Sequence, residues 1–110
     1  MAKTWTATEG YGTSVAEASL ELRNLTPQLY LFINQASWPN ARLCLKDLEA
    51  FIEQFIASCS RIQTERIRNA VNSVRIALAH QSKDYFKKKK VNTKLEELVS
   101  LLIKAGCPLR

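Results

Sequence analysis

The side chains with the most obvious chemical potential in this sequence are basic, and three of them recur at a fixed interval. Arg61, Arg68 and Arg75 are each seven residues apart. A step of seven rotates only about 20° around an α-helix, so on one helix the three guanidinium groups form a row about 21 Å long. Arginine makes planar, two-pronged contacts with phosphate. These three residues, the arginine row, therefore predict contact with a nucleic-acid backbone.

Polar residues around the arginine row support this prediction. On a helical wheel the row lies opposite the apolar face of its helix, so it points away from the core. Thr64 and Asn72 lie beside the row, and with Lys83 beyond it they are of the types that contact phosphates. A run of four lysines begins at Lys87 and forms a second positive cluster. The predicted RNA contacts are Arg61, Thr64, Arg68, Asn72, Arg75, Lys83, Lys87, Lys88, Lys89 and Lys90.

Residues for catalysis or metal binding are scarce. The sequence has a single histidine, His80, no CxxC pair and no Gly-rich phosphate loop. A nucleophile needs an adjacent base that a third group orients, so one histidine allows at most one such centre. Glu49 and Glu53 share a helix face, but no Glu-x-x-His motif accompanies them, and we interpret them as solvated charge. We predict no enzyme, no metal site and no cofactor.

The charge balance restricts the partners. The chain carries 16 Lys and Arg against 10 Asp and Glu, a formal net charge of +6 at pH 7. Nucleic acid, an anionic membrane surface and acidic proteins are the candidate partners. Three widely spaced cysteines, Cys44, Cys59 and Cys107, suit a reducing compartment. No apolar run approaches the ~20 residues that cross a bilayer, and no signal pattern opens the chain. We expect a cytoplasmic or nuclear protein without a membrane partner.

Capping signals and apolar stripes predict helices, beginning with one over 14–36. Ser14 lies three residues before a glutamate, which is the spacing of a capping box. Pro27 interrupts the apolar stripe and is expected to bend this helix or to start a new one. A turn is predicted over 37–40, because Pro39 disfavours helical backbone at the residue before it and Asn40 can cap the next helix.

The dominant predicted element lies over 41–80, which contains neither Gly nor Pro. We expect one helix of roughly 60 Å at 1.5 Å per residue, with a break inside it as the alternative. Its wide apolar arc includes Leu48, Phe51, Phe55 and Ile62, and such an arc needs a partner to cover it. The first helix would cover part of the arc, and a second copy of the chain would cover the rest.

A short C-terminal helix completes the predicted fold. Thr93 and Glu96 repeat the capping-box spacing at its start, and Gly106 and Pro108 close it. No strand-like alternation appears. The sequence therefore predicts an all-α protein: a helical hairpin with one long helix and a short C-terminal helix, as a single domain over 13–110 after a flexible arm over 1–12.

Short motifs between Leu20 and Arg61 add a resemblance. They are Glu21-Leu22…Pro27…Leu29, then Pro39-Asn40, then Asp47-Leu48-Glu49-Ala50-Phe51-Ile52-Glu53 followed by Arg61. In these motifs the sequence resembles the small RNA-silencing suppressors of nodaviruses.

The resemblance implies a helical hairpin that dimerises into an antiparallel four-helix bundle. Such a homodimer lies along one face of double-stranded RNA, binds it without reading its sequence, shields it from Dicer and sequesters short interfering duplexes in the host cytoplasm. Arg61 falls where the family places a basic RNA contact.

The residues themselves also favour duplex RNA over other nucleic acids. The basic helix must carry core residues too, so it would lie across a duplex rather than enter a DNA major groove as a recognition helix. Phe32, Phe51 and Phe55 lie on apolar stripes, which disfavours stacking on single strands. The main alternative is a protein–protein adaptor that grips a partner helix and whose basic face is incidental. Attachment to an anionic membrane is a third possibility.

Overall fold

The computed structural model describes residues 14–109, which form four α-helices without strands. The helices are α1 (Val15–Asn34), α2 (Trp38–Phe55), α3 (Arg61–Ala79) and α4 (Asp84–Lys104). A single 3₁₀ turn in this range, Ile56–Ser58, follows α2 directly. The all-α prediction is confirmed. The arm predicted over 1–12 lies outside the described residues.

Helix α1 begins where the sequence predicts and runs through its proline. The Ser14 hydroxyl accepts a hydrogen bond from the Glu17 amide at 3.1 Å, and the Glu17 carboxylate accepts one from the Ser14 amide at 2.9 Å. This reciprocal capping box satisfies two amides that the helix leaves free. Pro27 lies on the exposed side of one continuous helix. No new helix therefore starts there.

The turn between α1 and α2 is shorter than predicted. Ser37 is the N-cap residue of α2, and Trp38 and Pro39 already belong to its first turn. Proline is accommodated there because its missing N–H would have no helical partner at that position. Asn40 does not cap the helix; its side-chain amide donates to the Ser37 hydroxyl at 2.8 Å.

The single long helix predicted over 41–80 is wrong and the alternative of a break inside it is correct, because this segment folds as α2 and α3. Cys59 and Ser60 between them have extended backbone, with ψ angles of 157° and 165°. The Ser60 hydroxyl accepts from the Gln63 amide at 3.2 Å, and the Gln63 side chain accepts from the Ser60 amide at 3.0 Å. This second capping box starts a new helix, and the break lets both apolar faces pack into one core.

The C-terminal helix is longer than predicted. Helix α4 has 21 residues and begins at Asp84, well before the predicted start. Thr93 lies inside it, where its hydroxyl donates to the Lys89 carbonyl at 2.9 Å instead of capping the helix. The end of the helix was predicted correctly: Gly106 has a φ of 101°, a left-handed conformation that suits glycine at this position.

The four helices pack as two hairpins around a shared core. Helix α1 packs mainly on α2, and α3 packs mainly on α4. Leu48, Phe51 and Phe55 are at most 3% exposed, as predicted. Ile62 is 65% exposed, so its predicted burial is wrong; the break before α3 turns this residue outward. The α2 part of the predicted arc packs on α1 and α3, and the α3 part packs mainly on α4. The dimer stays a prediction.

Candidate functional site

The arginine row lies on one helix as predicted, but two of its three members are bound to α2. Arg68 donates to the Glu53 carboxylate twice, from Nε at 3.2 Å and from Nη2 at 2.9 Å. These hydrogen bonds and the charge of Glu53 raise the pKa of Arg68 above its ordinary value. Arg75 donates to the Glu49 carboxylate. The two glutamates, interpreted as solvated charge, do keep contact with solvent, at 27% exposure for Glu49 and 55% for Glu53, but they also join α2 to α3.

The remaining member of the row is also paired. The Arg61 side chain is 93% exposed and lies 3.5 Å from the carboxylate of Glu65, one turn further along α3. Asn72 accepts from the Arg75 guanidinium at 2.9 Å, and Thr64 is half-buried. The three arginines therefore face three carboxylates. Exposed pairs of this kind contribute little to stability, but each carboxylate offsets one of the positive charges that would attract phosphate.

Positive charge without paired carboxylates gathers where α2 and α4 begin. Arg42 and Lys46 are exposed on the first turns of α2. Lys83 is the N-cap residue of α4, and Lys87 to Lys90 occupy the first two turns of that helix. Within residues 14–109, no carboxylate lies within 4.0 Å of any of these seven cationic groups. We call these seven residues the basic end.

Lys87 shows how the fold brings these charges together. The residue is 9% exposed, and its Nζ lies 4.5 Å from the centre of the Trp38 ring. Trp38 Nε1 donates to the Asp84 carboxylate at 3.0 Å, which joins the start of α2 to the start of α4. Burial, followed by the nearby Arg42 guanidinium, lowers the pKa of Lys87, whereas Asp84 acts to raise it. Lys87 and Arg42 are therefore close enough at the starts of α4 and α2 for their charges to interact.

A cavity of about 300 Å³ between α2 and α3 connects the basic end to the arginine row. Arg42, Lys46 and Glu49 line it from α2, and Arg75, the ion-pair partner of Glu49, lines it from α3. Its apolar wall is formed by Leu45, Leu78 and Ala79. The two basic regions are therefore neighbours on one surface, and Arg75 marks the boundary between them.

Four residues of this surface were not predicted from the sequence. Arg42 and Lys46 are spaced four apart at the start of α2, and this spacing alone indicates a shared helix face. Tyr85 and Phe86 at the start of α4 are 70% and 61% exposed. Their position before a lysine run, off the apolar stripe of α4, was the available signal.

The described residues offer little for nucleophilic or metal chemistry. Burial is the main cause that raises the pKa of Cys44 and of Cys107 to about 11, which keeps both thiols protonated and unreactive at neutral pH. His80 is exposed at the end of α3. Over 14–109, no three His, Cys, Asp or Glu side chains lie close enough together to hold a metal ion. None of the four helices is both long and apolar enough to span a bilayer.

No protein-family model, curated protein or solved structure matches this chain. The resemblance of residues 20–61 to nodavirus suppressors therefore stays a prediction that rests on its own motifs. The geometry of the basic end is the independent basis for a functional proposal.

Proposed function

We propose that this chain is a non-catalytic protein that binds the phosphate backbone of double-stranded RNA without reading its sequence. The observation that carries the proposal is the basic end: seven cations on two helices, without a paired carboxylate among the described residues. Apart from Lys87, which is buried against Trp38, these cations are left over after the fold has formed its own ion pairs and are free to neutralise phosphates and release their counterions.

The packing of the helices favours contact with the backbone over contact with bases. Each of the four helices buries one face in the shared core, and the cations of the basic end are spread over two of them instead of lying on one recognition helix. Duplex RNA is recognised mainly through phosphates and 2′-hydroxyls across its wide, shallow minor groove. Arg61 would extend the footprint of the basic end, because its side chain is 93% exposed and paired only within α3. Arg68 and Arg75 would contribute less, since α2 already occupies them.

The biological role that we attach to this binding is suppression of RNA silencing. A protein that lies along duplex RNA would shield it from processing by Dicer. This role depends on the resemblance of residues 20–61 to nodavirus suppressors. A homodimer, which the same resemblance implies, would lengthen the protected stretch of duplex.

Binding of short RNA and DNA duplexes of matched sequence tests the proposal. Fluorescence anisotropy would follow the affinity between about 50 and 200 mM salt, where backbone binders lose affinity steeply. We expect a log–log slope of about −4 to −6, corresponding to roughly five or six neutralised phosphates. We also expect equal affinity for unrelated RNA sequences and weaker binding to DNA. A flat salt dependence would contradict backbone binding, and equal affinity for DNA would contradict recognition of RNA shape.

A second candidate function is that of a helical protein–protein adaptor. The observation that favours it is the exposure of Leu20 and Leu31 on the outer side of α1 and of Leu43 on α2, each more than half exposed. Replacing the three leucines with serine would abolish partner binding by such an adaptor and would leave RNA affinity unchanged.

A further inference from the structure

Two exposed aromatic rings lie at the start of α4, between Lys83 and Lys87 of the basic end. Tyr85 and Phe86 are 70% and 61% exposed. Their ring centroids are 5.3 Å apart and their planes meet at 79°, an edge-to-face pair. The other aromatic residues among 14–109 are buried or half-buried: Tyr30, Phe32, Trp38, Phe51 and Phe55. Aromatic exposure in this range is therefore confined to one place, where it forfeits the ~1.5–3 kcal/mol that burying each such side chain contributes.

Lysines flank the two rings along the chain, and the neighbouring acid, Asp84, is hydrogen-bonded to Trp38. Lys83 precedes the pair by two residues, and Lys88 and Lys89 follow it within one helical turn. The carboxylate of Asp84 accepts a hydrogen bond from Trp38 Nε1 at 3.0 Å, which also holds the first turn of α4 against α2. The rings are thus exposed on a helix whose start is held in place.

We propose that Tyr85 and Phe86 form a stacking site for unpaired nucleobases at the single-stranded end of a duplex whose backbone the basic end binds. This inference rests on the proposed function. Binders of unpaired strands combine a cationic surface with exposed rings on which bases stack, and each stacked base contributes ~1–3 kcal/mol. One ring of an edge-to-face pair offers its free face to a base, while the other forms a wall beside it.

A nucleobase fits this site better than a lipid surface does. A helix that lies in a membrane interface needs a continuous apolar face. The apolar face of α4, which includes Val91, Leu95 and Leu98, is buried in the core. Two isolated rings among lysines are too small an apolar area for that mode, whereas stacking needs only the face of a ring beside cations that hold the backbone.

The test compares a blunt RNA duplex with the same duplex that carries 3′ overhangs containing 2-aminopurine, whose fluorescence is quenched by stacking. For the wild-type chain we expect about fivefold or tighter binding of the overhang duplex, and quenching on binding. The double variant Tyr85→Ala/Phe86→Ala should lose both effects and keep its affinity for the blunt duplex. Tyr85→Trp/Phe86→Trp should restore both.

A matched control removes two other exposed apolar side chains. Ile62 and Ile76 on α3 are 65% and 57% exposed. Ile62→Ala/Ile76→Ala should leave both the overhang preference and the quenching unchanged. Circular dichroism melts would verify that every variant folds like the wild type.

Each outcome of the binding test supports or overturns the stacking site. If the wild-type chain binds blunt and overhang duplexes equally, the stacking site is overturned and duplex binding stands. If it binds neither duplex, a single-stranded 2-aminopurine oligonucleotide decides: quenching that Tyr85→Ala/Phe86→Ala abolishes supports the stacking site and overturns duplex binding, and absence of quenching overturns both. Binding to phosphatidylserine vesicles that depends on the two rings, without an overhang preference, overturns the site in favour of a membrane.

Discussion

The arginine row and the basic end contain side chains of the same charge in opposite electrostatic surroundings. Arg68 and Arg75 of the row each pair with a carboxylate of α2, so their charge holds two helices together. At the basic end, Arg42 lies close enough to Lys87 to lower its pKa, and no described carboxylate pairs with either. The positive charge available to a polyanion is the charge that has no ion-pair partner after neighbouring helices have packed. It cannot be counted along one helix alone.

The largest expected effect comes from neutralising each region in turn. Arg42→Gln/Lys46→Gln/Lys90→Gln removes three unpaired cations, so we expect affinity for duplex RNA to fall roughly tenfold or more and the salt slope to weaken by about 3. The matched variant neutralises the three members of the arginine row, and its slope should weaken by less than about 1. Anisotropy titrations over salt measure both slopes. Equal weakening of the two salt slopes would show that the two regions contribute equally to RNA binding.

The second-largest effect on RNA binding should come from removing the carboxylates that pair with the arginine row. Glu49→Gln/Glu53→Gln removes the carboxylates that hold Arg68 and Arg75, and the two freed cations should steepen the salt slope by about 2 and raise RNA affinity several-fold. Glu17→Gln/Glu21→Gln on α1 removes the same net charge without freeing an arginine. If both variants bind RNA equally well, net charge alone governs the affinity and the ion pairs are irrelevant.

A smaller effect is expected on stability from the cap that starts the arginine row. Ser60→Ala removes one half of the capping box of α3, which should lower the free energy of unfolding by about 1 kcal/mol and fray the turn that carries Arg61. RNA affinity should stay within about twofold if the row contributes little. Ser14→Ala, which removes the equivalent cap of α1, serves as the control. Urea unfolding and anisotropy give the two readouts, and a large loss of affinity confined to Ser60→Ala would restore the row as the main contact.

Single neutralisations should change stability in opposite directions at the two regions. Arg68→Gln breaks the solvent-exposed ion pair with Glu53 and should lower the melting temperature slightly. Arg42→Gln relieves repulsion on Lys87 and should raise the melting temperature slightly. Both changes should shrink in high salt, because mobile ions screen exposed charges. Thermal melts at low and high salt measure both changes. A loss of stability in Arg42→Gln would contradict the view that the Arg42 charge has no carboxylate partner at the basic end.

The smallest expected effect is a dependence of stability on alkaline pH. Because the pKa of Lys87 is lowered on folding, the unfolded chain binds this proton more tightly than the folded chain does. Stability should therefore rise as the pH increases from the lowered pKa toward the ordinary value of 10.5. The Lys87→Met variant lacks this titrating group, so its stability should rise less over the same pH range. Urea unfolding at a series of alkaline pH values checks this, and an unchanged profile in Lys87→Met would contradict it.

Local signals account for what could be predicted of the fold. The capping box at Ser14 and the glycine after α4 were recognised because both depend on residues within one turn. The break at Ser60 has the same kind of cap, but its partner is Gln63, and an unbroken apolar pattern without Gly or Pro concealed it. The continuous helix over 41–80 was therefore predicted where two helices form, and Ile62 was assigned to the core.

The candidate site was predicted only in part, for a related reason. The spacing of Arg61, Arg68 and Arg75 determines that they share one side of a helix, and the structure keeps them there. It does not determine what that side faces. Glu49 and Glu53 lie on another helix, and only the packing of α2 on α3 brings their carboxylates to Arg75 and Arg68.

By itself, the sequence determined the helical class, the positions of several caps and the excess of positive charge, because these follow from composition and from contacts within a few residues. Which cations are neutralised and which are left over depends on how the helices pack. Coulomb interactions depend on distances in space, and the chain sets those distances between helices only when the hairpins pack into one core.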